Sequence, residues 1–337
     1  PKELVVLSED GFRDFLRWLL EGFVVYSPVK GEHTSYFGRL GAPEHFWLPE
    51  TVTQRRLKEL FFPCVETLLS FDFGQGRVEV NPGADELSGD ELRRVIIGAR
   101  PCDAKGLAIL DKVFDAEDYK DPYYTARRRG TAIIAFACNS PASTCFCSSL
   151  GGGPFGEEAA DLLIITGVPG LAGTTDVEGS SSGKGYAVEI LSWKGRALVE
   201  GYASVKGTKV ERGGEGVEGH IREARLRAEQ ELGEPVPVEG IHESLRGLFS
   251  DAYWDELHRK CLGCAACTYL CPTCHCFDIG DEVTNAKGER VRNWDSCMFP
   301  LFTLHASGHN PRPTRKERFR QRVMHKFNYF MENNSLI

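Results

Sequence analysis

Apolar residues recur at Phe12, Phe15, Leu16, Leu19 and Leu20 between Glu9 and Phe23, the spacing of one helical face. Between Arg94 and Ala99 the period changes. Val95-Ile96-Ile97 is a short unbroken apolar run, closed by the breaker Arg100-Pro101, and predicts a buried strand. Leu107, Leu110, Val113 and Phe114 return to helical spacing, with Asp103 placed to cap that helix. Thr131 to Ala137 predicts a second buried strand that ends at Cys138, and Leu162 to Thr166 a third. Tyr186 to Leu191 and Ala197 to Tyr202 predict a hairpin around Trp193-Lys194-Gly195. His220 to Leu232 reads as an amphipathic helix: Ile221, Ala224, Ala228 and Leu232 share a face, and Leu226 falls off it.

Strands alternating with helices predict an α/β domain over residues 1–235, with glycine-rich loops at Gly151-Gly152-Gly153 and from Gly167 to Gly185. Two prolines interrupt the pattern between Gly233 and Glu239. From Ile241 the chain turns helical and cysteine-rich, which predicts a second, mainly α-helical domain over residues 236–337. A length of 337 residues fits two such cores. The net charge of −8 gives no general basic surface and argues against a nucleic-acid partner. No apolar run reaches the ~18 residues that a membrane span needs. The first residue is Pro1 rather than Met, so a few residues are expected to precede it.

The 12 cysteines matter through their placement, because none lies between Cys147 and Cys261. A disulfide framework belongs to short secreted chains. Two tight groups in a long chain without a secretory signal predict bound metal in a reducing cytoplasm. The stronger group is Cys261-Leu-Gly-Cys264-Ala-Ala-Cys267-Thr-Tyr-Leu-Cys271-Pro272. Three cysteines spaced by two residues wrap a turn around one 4Fe–4S cluster, and the fourth, before proline, leads to another cluster in two-cluster ferredoxins. The competing reading is structural zinc, which usually takes two separated ligand pairs. Cys274, Cys276 and Cys297 follow, each either a buried thiol or a further ligand. Cys297 is also a candidate fourth ligand for the first cluster.

The second group is Cys102, Cys138, Cys145 and Cys147. Cys102 and Cys138 each follow a predicted strand. If those strands are parallel neighbours, their carboxyl ends converge where α/β sheets bind ligands. The helix after Cys102 would then direct its positive end at a thiolate site. Four thiols make a ligand set for one 4Fe–4S cluster; the alternative is a redox-active or merely buried set. Cys64 reads as packing. The basic stretch from Arg312 to Lys326, with Arg315, Lys316, Arg318, Arg320 and Arg322, reads first as a solvated helix face, with some arginines beside a cluster. His275, His305, His309 and His325 read as hydrogen-bonded structural histidines rather than ligands. Gly151-Gly152-Gly153 lacks the lysine of a phosphate loop, and no dinucleotide fingerprint is present.

Phe61-Phe62-Pro63 with Glu66, Arg100-Pro101-Cys102-Asp103, Asp121-Pro122-Tyr123-Tyr124, Thr144-Cys145-Phe146-Cys147, the run Cys261 to Cys276, Trp294-Asp295-Ser296-Cys297 and Ala306-Ser-Gly-His309-Asn310-Pro311-Arg312-Pro313 follow in order. Together they resemble the 4Fe–4S dicluster subunits typified by the beta subunit of soluble sulfhydrogenases and by the corresponding iron–sulfur subunit of anaerobic sulfite reductase. The resemblance implies an α-helical ferredoxin-like second domain and an electron conduit without catalysis of its own. It also implies partner subunits: a flavin and NAD(P)H-type subunit, and a catalytic subunit such as a nickel–iron hydrogenase or a sulfite reductase. Members typically continue after the segment matching His325-Lys326-Phe327 with a second run of the Cys261–Cys271 type, whereas this sequence ends at Ile337. Either the polypeptide continues, or Cys274, Cys276 and Cys297 complete the ligand set of Cys271. A zinc-stabilised scaffold and a thiol-based reductase are the remaining readings from other classes.

Overall fold

Buried strands at two-residue periodicity and helices with one apolar stripe must cover one another, and here they do so in a layered α/β body. The computed structural model describes residues 3–80, 93–168, 185–206 and 211–334. The strands are β1 (Glu3–Leu7), β2 (Val24–Lys30), β3 (Ser35–Arg39), β4 (Val65–Asp72), β5 (Arg77–Val80), β6 (Arg94–Ala99), β7 (Thr131–Phe136), β8 (Leu162–Val168), β9 (Gly185–Ile190), β10 (Glu211–Arg212), β11 (Phe277–Thr284) and β12 (Lys287–Trp294). By packing, the chain divides into two units. One comprises residues 1–61, 87–108 and 121–236; the other comprises residues 62–86, 109–120 and 237–337.

The first unit holds a sheet of order β10-β1-β9-β8-β7-β6-β2-β3. Its centre is parallel, with β2, β6, β7 and β8 paired in that sense, and antiparallel strands close both sides. Alternation along the strands sorts the faces. Val95, Ile97, Ala132, Ile134, Phe136, Leu162 and Ile164 meet Phe12, Phe15, Leu16 and Leu19 of the helix Glu9–Gly22 in one core. Ile96, Ile133, Leu163 and Ile165 are equally buried. The helix Glu215–Leu232 buries Ile221, Ala224 and Ala228 and leaves Leu226 53% exposed, as its pattern predicts.

Two local expectations are corrected. Ala197–Tyr202 is not a strand but part of the helix Trp193–Lys206. The backbone N–H groups of Lys194 and Gly195 donate to Ser192 Oγ at 3.1 and 3.2 Å, which caps a helix start, and Leu198 and Tyr202 are buried at a spacing of i, i+4. Asp103 lies inside the helix Pro101–Phe114 rather than at its cap. Its carboxylate reaches back to accept the Arg100 N–H at 3.2 Å, an interaction that a first-turn acid makes as well as a cap does. Most of the run from Gly167 to Gly185 lies outside the described residues.

The second unit holds an antiparallel sheet of order β11-β12-β4-β5. It also has the helices Ile241–Gly247, Tyr253–Leu257, Ala266–Tyr269, Arg315–Met324 and Phe330–Asn334. Helices and a long hairpin therefore share residues 237–337. The hairpin β11–β12 turns at Asn285, whose φ of +59° suits asparagine. Its outward positions, including Ile279 and Val283, are exposed, so the strands lack the apolar alternation that would announce them. Between Met324 and Phe330 the chain winds into one π-helical turn, His325–Tyr329.

Candidate metal centres

In the first unit, β6 and β7 pair in parallel with Val95 opposite Ala132 and Ile96 opposite Ile133. Their carboxyl ends therefore lie side by side, and Cys102 and Cys138 stand just beyond them. Arg100 fastens the site. Its guanidinium donates to the carbonyl oxygens of Ala137 at 2.9 Å and Thr51 at 3.3 Å, and also to that of Pro49. Asp103, 2% exposed, accepts from Arg56 at 3.1 Å. The helix Pro101–Phe114 starts at the same end of the sheet, its first turn closed by the Asp103 and Ala104 N–H groups, which donate to Arg100 O at 2.9 and 3.2 Å.

The loop after Cys138 returns Cys145 and Cys147. The Cys138 N–H donates to Pro154 O at 2.9 Å, and the Gly152 N–H to Cys147 O at 2.9 Å. The triple glycine thus folds back on the cysteine loop; Gly151 takes φ +68° as the left-handed residue that ends the turn Cys147–Leu150. The four sulfurs act on one another electrostatically: Cys102 with Cys138 and Cys147, and Cys138 with Cys145 and Cys147. Burial pushes the Cys102 thiol well above its usual range and the Cys138 thiol up to about 11. The Cys147 thiol is raised by burial and by Cys145. Bringing metal to such thiols displaces their protons.

In the second unit, the segment Cys261–Cys267 turns tightly. Gly263 has φ +74° and Ala265 φ +62°, the left-handed region that favours glycine. Cys267 interacts electrostatically with Cys261 and Cys264, so the three form one group, and burial raises the Cys267 thiol. Thr268 Oγ1 bonds Ser296 Oγ at 2.8 Å, and Tyr269 Oη donates to Trp294 O at 3.2 Å, which ties this turn to the Trp294–Cys297 segment. Trp294 Nε1 donates to Phe62 O at 3.1 Å, and the Trp294 N–H to Cys64 O at 2.8 Å. Cys64 therefore meets this motif through its backbone.

Cys271 accepts a hydrogen bond from the Cys274 thiol, from Lys326 Nζ at 3.0 Å and from the Thr273 N–H at 3.4 Å. The Cys274 donor, followed by Lys326, holds the Cys271 thiol far below its usual range, and the shared proton raises Cys274 in turn. Cys276 and Cys297 form a second such pair: Cys276 falls to about 6 because Cys297 donates to it, and Cys297 rises. Arg322 Nη1 donates to Cys274 Sγ at 3.2 Å. Among the described residues, no three His, Cys, Asp or Glu side chains close on a point as one metal ion requires.

The basic stretch has two sides. Arg318, 6% exposed, donates to Pro313 O at 2.8 Å, and Arg322 and Lys326 follow it at four-residue steps on the inward side. Only part of the stretch looks outward. Arg320 lies over the Phe249 ring at 4.0 Å, and Lys316 pairs with Asp255 at 2.9 Å. Charge counting did not separate these two sides; the spacing 318/322/326 carried the signal. His325 is half-buried against His275, with ring centroids 5.5 Å apart, and burial followed by His275 lowers it to about 4.

Known proteins resemble this chain over most of its length. Residues 260–336 match the family model of the 4Fe-4S dicluster domain. The chain is 31% identical over 327 residues to sulfhydrogenase 2 subunit beta of Pyrococcus furiosus, covering 97% of this chain and 88% of that protein. No helix among the described residues is long and apolar enough to cross a membrane.

Proposed function

Since the chain belongs to the family of 4Fe–4S dicluster electron-transfer subunits that includes the sulfhydrogenase beta subunit, we propose that it relays single electrons between other subunits of an oxidoreductase complex. On this reading Cys102, Cys138, Cys145 and Cys147 hold one cluster, and Cys261, Cys264 and Cys267 hold three corners of another. The donor is a flavin and NAD(P)H-type subunit, and the acceptor a catalytic subunit such as a nickel–iron hydrogenase. The complex works in the reducing cytoplasm. The helical segments of residues 237–337 form the ferredoxin-like body, to which the hairpin β11–β12 is added.

The observation that carries the reading is the gathering of thiols into groups served by fixed cations and N–H donors. A 4Fe–4S cluster supplies a one-electron carrier whose potential follows hydrogen bonding, charge and burial. The residues of this chain set those terms. Arg100 and Asp103 fix the strand ends that present Cys102 and Cys138. Lys326 and Arg322 place positive charge at sulfur, which favours the reduced state. The left-handed turn at Gly263 and Ala265 draws Cys261, Cys264 and Cys267 to one side.

A test separates a relay from an enzyme. Anaerobically prepared chain, reduced and then mixed with a viologen or quinone dye, is expected to deliver its stored electrons once and stop. Sustained reduction of sulfite, a disulfide or polysulfide by the isolated chain, driven by an artificial reductant, would instead make the crowded thiols a catalytic centre.

A further inference from the structure

Leu262 stands between the first two cysteines of the tight turn Cys261–Cys267 and is 83% exposed, more than any other large apolar side chain among the described residues. A lone exposed leucine needs no explanation. This one has company. Cys264, Ala266 and Cys267 are exposed as well, so the turn itself faces solvent. Lys260, just before the motif, is exposed, and so is Arg315. A Cβ at Gly263 would lie 3.6 Å from Arg315 Cδ and 3.8 Å from its Cγ, which lays this side chain along the turn. Building on the reading that this chain relays electrons, we propose that the face formed by Lys260, Leu262 and Arg315 is where an acidic electron-carrier protein docks to exchange one electron with a cluster held on the turn.

Charge decides the kind of partner. The whole chain carries −8, yet the two segments that frame this turn are basic. One is the single turn His258–Lys260, and the other is the helix Arg315–Met324, with five basic residues against Glu317 alone. Most of these charges are answered within the fold. Arg259 pairs with Glu256 at 3.1 Å and Lys316 with Asp255 at 2.9 Å. Arg320 lies over the Phe249 ring, and Arg318 and Arg322 donate inward. Lys260 and Arg315 pair with no acid among the described residues, and both stand beside the turn.

A second copy of the chain fits this face poorly. A two-fold contact would set Lys260 and Arg315 against their own copies, and like charges across an interface are costly. An acidic surface complements them and is steered in over about a Debye length, ~8 Å at physiological salt. Leu262 adds what charge does not, a small apolar contact that excludes water at short range. A patch of this size suits a brief encounter rather than a permanent interface. In each encounter one electron leaves the reduced cluster and enters the oxidised carrier, or the reverse, and no bond is made or broken.

The experiment takes full-length chain, prepared without oxygen and reduced with dithionite, and mixes it in stopped flow with oxidised acidic plastocyanin or oxidised basic cytochrome c. The variants are Leu262→Ser, the double variant Lys260→Glu/Arg315→Glu, and Arg77→Glu on β5 as a charge control. All four positions are exposed, and Arg315→Glu places an acid in the first turn of its helix, where it is favourable. The double variant is expected to slow reduction of plastocyanin about tenfold or more at low salt and to speed reduction of cytochrome c, both differences closing as salt rises. Leu262→Ser is expected to slow plastocyanin about threefold to tenfold at every salt concentration. Arg77→Glu should leave both rates near those of the wild type. Both carriers slowed alike in the double variant would mark a shifted potential or a damaged fold rather than lost docking, and overturn the proposal. So would a wild-type dimer that Leu262→Ser dissociates, or retention on phosphatidylserine vesicles that the double variant loses. Wild-type chain with no sulfide overturns the relay reading too, whereas clusters that deliver their electrons at unchanged rates in every variant sink this inference alone.

Discussion

Arg292 and Glu66 pair inside the second unit, each side chain 3% exposed, and the guanidinium lies over the rings of Phe62, Phe114 and Phe277 at 5.1 to 5.8 Å. Removing one partner strands the other charge away from water, so Arg292→Met is expected to lower unfolding free energy by about 3–5 kcal/mol, read by chemical denaturation. A change within the ~0.5 kcal/mol of an ordinary surface substitution would show that the pair is not buried as described. Cys138 links a site residue to pH. In the metal-free chain its thiol is raised from 9.0 to about 11 by burial. Between those values the unfolded chain has released this proton while the native chain keeps it, so the stability from this group is full below about pH 9 and lost as pH rises to about 11. The loss amounts to at most about 3 kcal/mol. The denaturation midpoint of metal-free protein should fall across that window and fall less in Cys138→Ala; equal slopes would contradict it.

At the scale of elements, substitutions on the two sides of a helix should part company. Leu226→Lys, on the exposed side of the helix Glu215–Leu232, is expected to change stability by less than ~0.5 kcal/mol, while Ala228→Lys, at a fully buried position, should prevent normal folding in a thermal melt. These positions were legible in the sequence because one apolar stripe decides them. The central strands β6, β7 and β8 were legible too, being unbroken runs of Val, Ile and Leu. The helix Trp193–Lys206 was not, because Ala197-Leu198-Val199 followed by Tyr202 satisfies both a strand and a helix template and only Ser192, as a cap, tips the choice. The hairpin β11–β12 was hidden for a different reason. Its pairing comes from main-chain bonds and from the Asn285 turn, while most side chains of β11 and of the first half of β12 are exposed and need not alternate; only Val291, Arg292 and Trp294 near its end are buried. The cysteine groups were visible as spacing, whereas the inward file of Arg318, Arg322 and Lys326 emerged only once the helix had a direction.

For the whole molecule, the two units each gather thiols on their own elements: the first at the ends of parallel strands, the second on a left-handed turn and a hairpin. Each set is built within its own unit, so their losses should be independent. Cys264→Ser is expected to abolish a C-terminal cluster signal and leave the N-terminal one intact in low-temperature EPR; loss of both together would mean that neither unit holds its metal alone. The relay depends on inorganic sulfide bound with iron. The most direct measurement is Mössbauer spectroscopy, with iron and sulfide analysis, on iron-57-labelled chain prepared without oxygen. The account predicts iron and sulfide in equal amounts and the quadrupole doublets of 4Fe–4S clusters. Zinc in place of iron, with no sulfide released by acid, would contradict it.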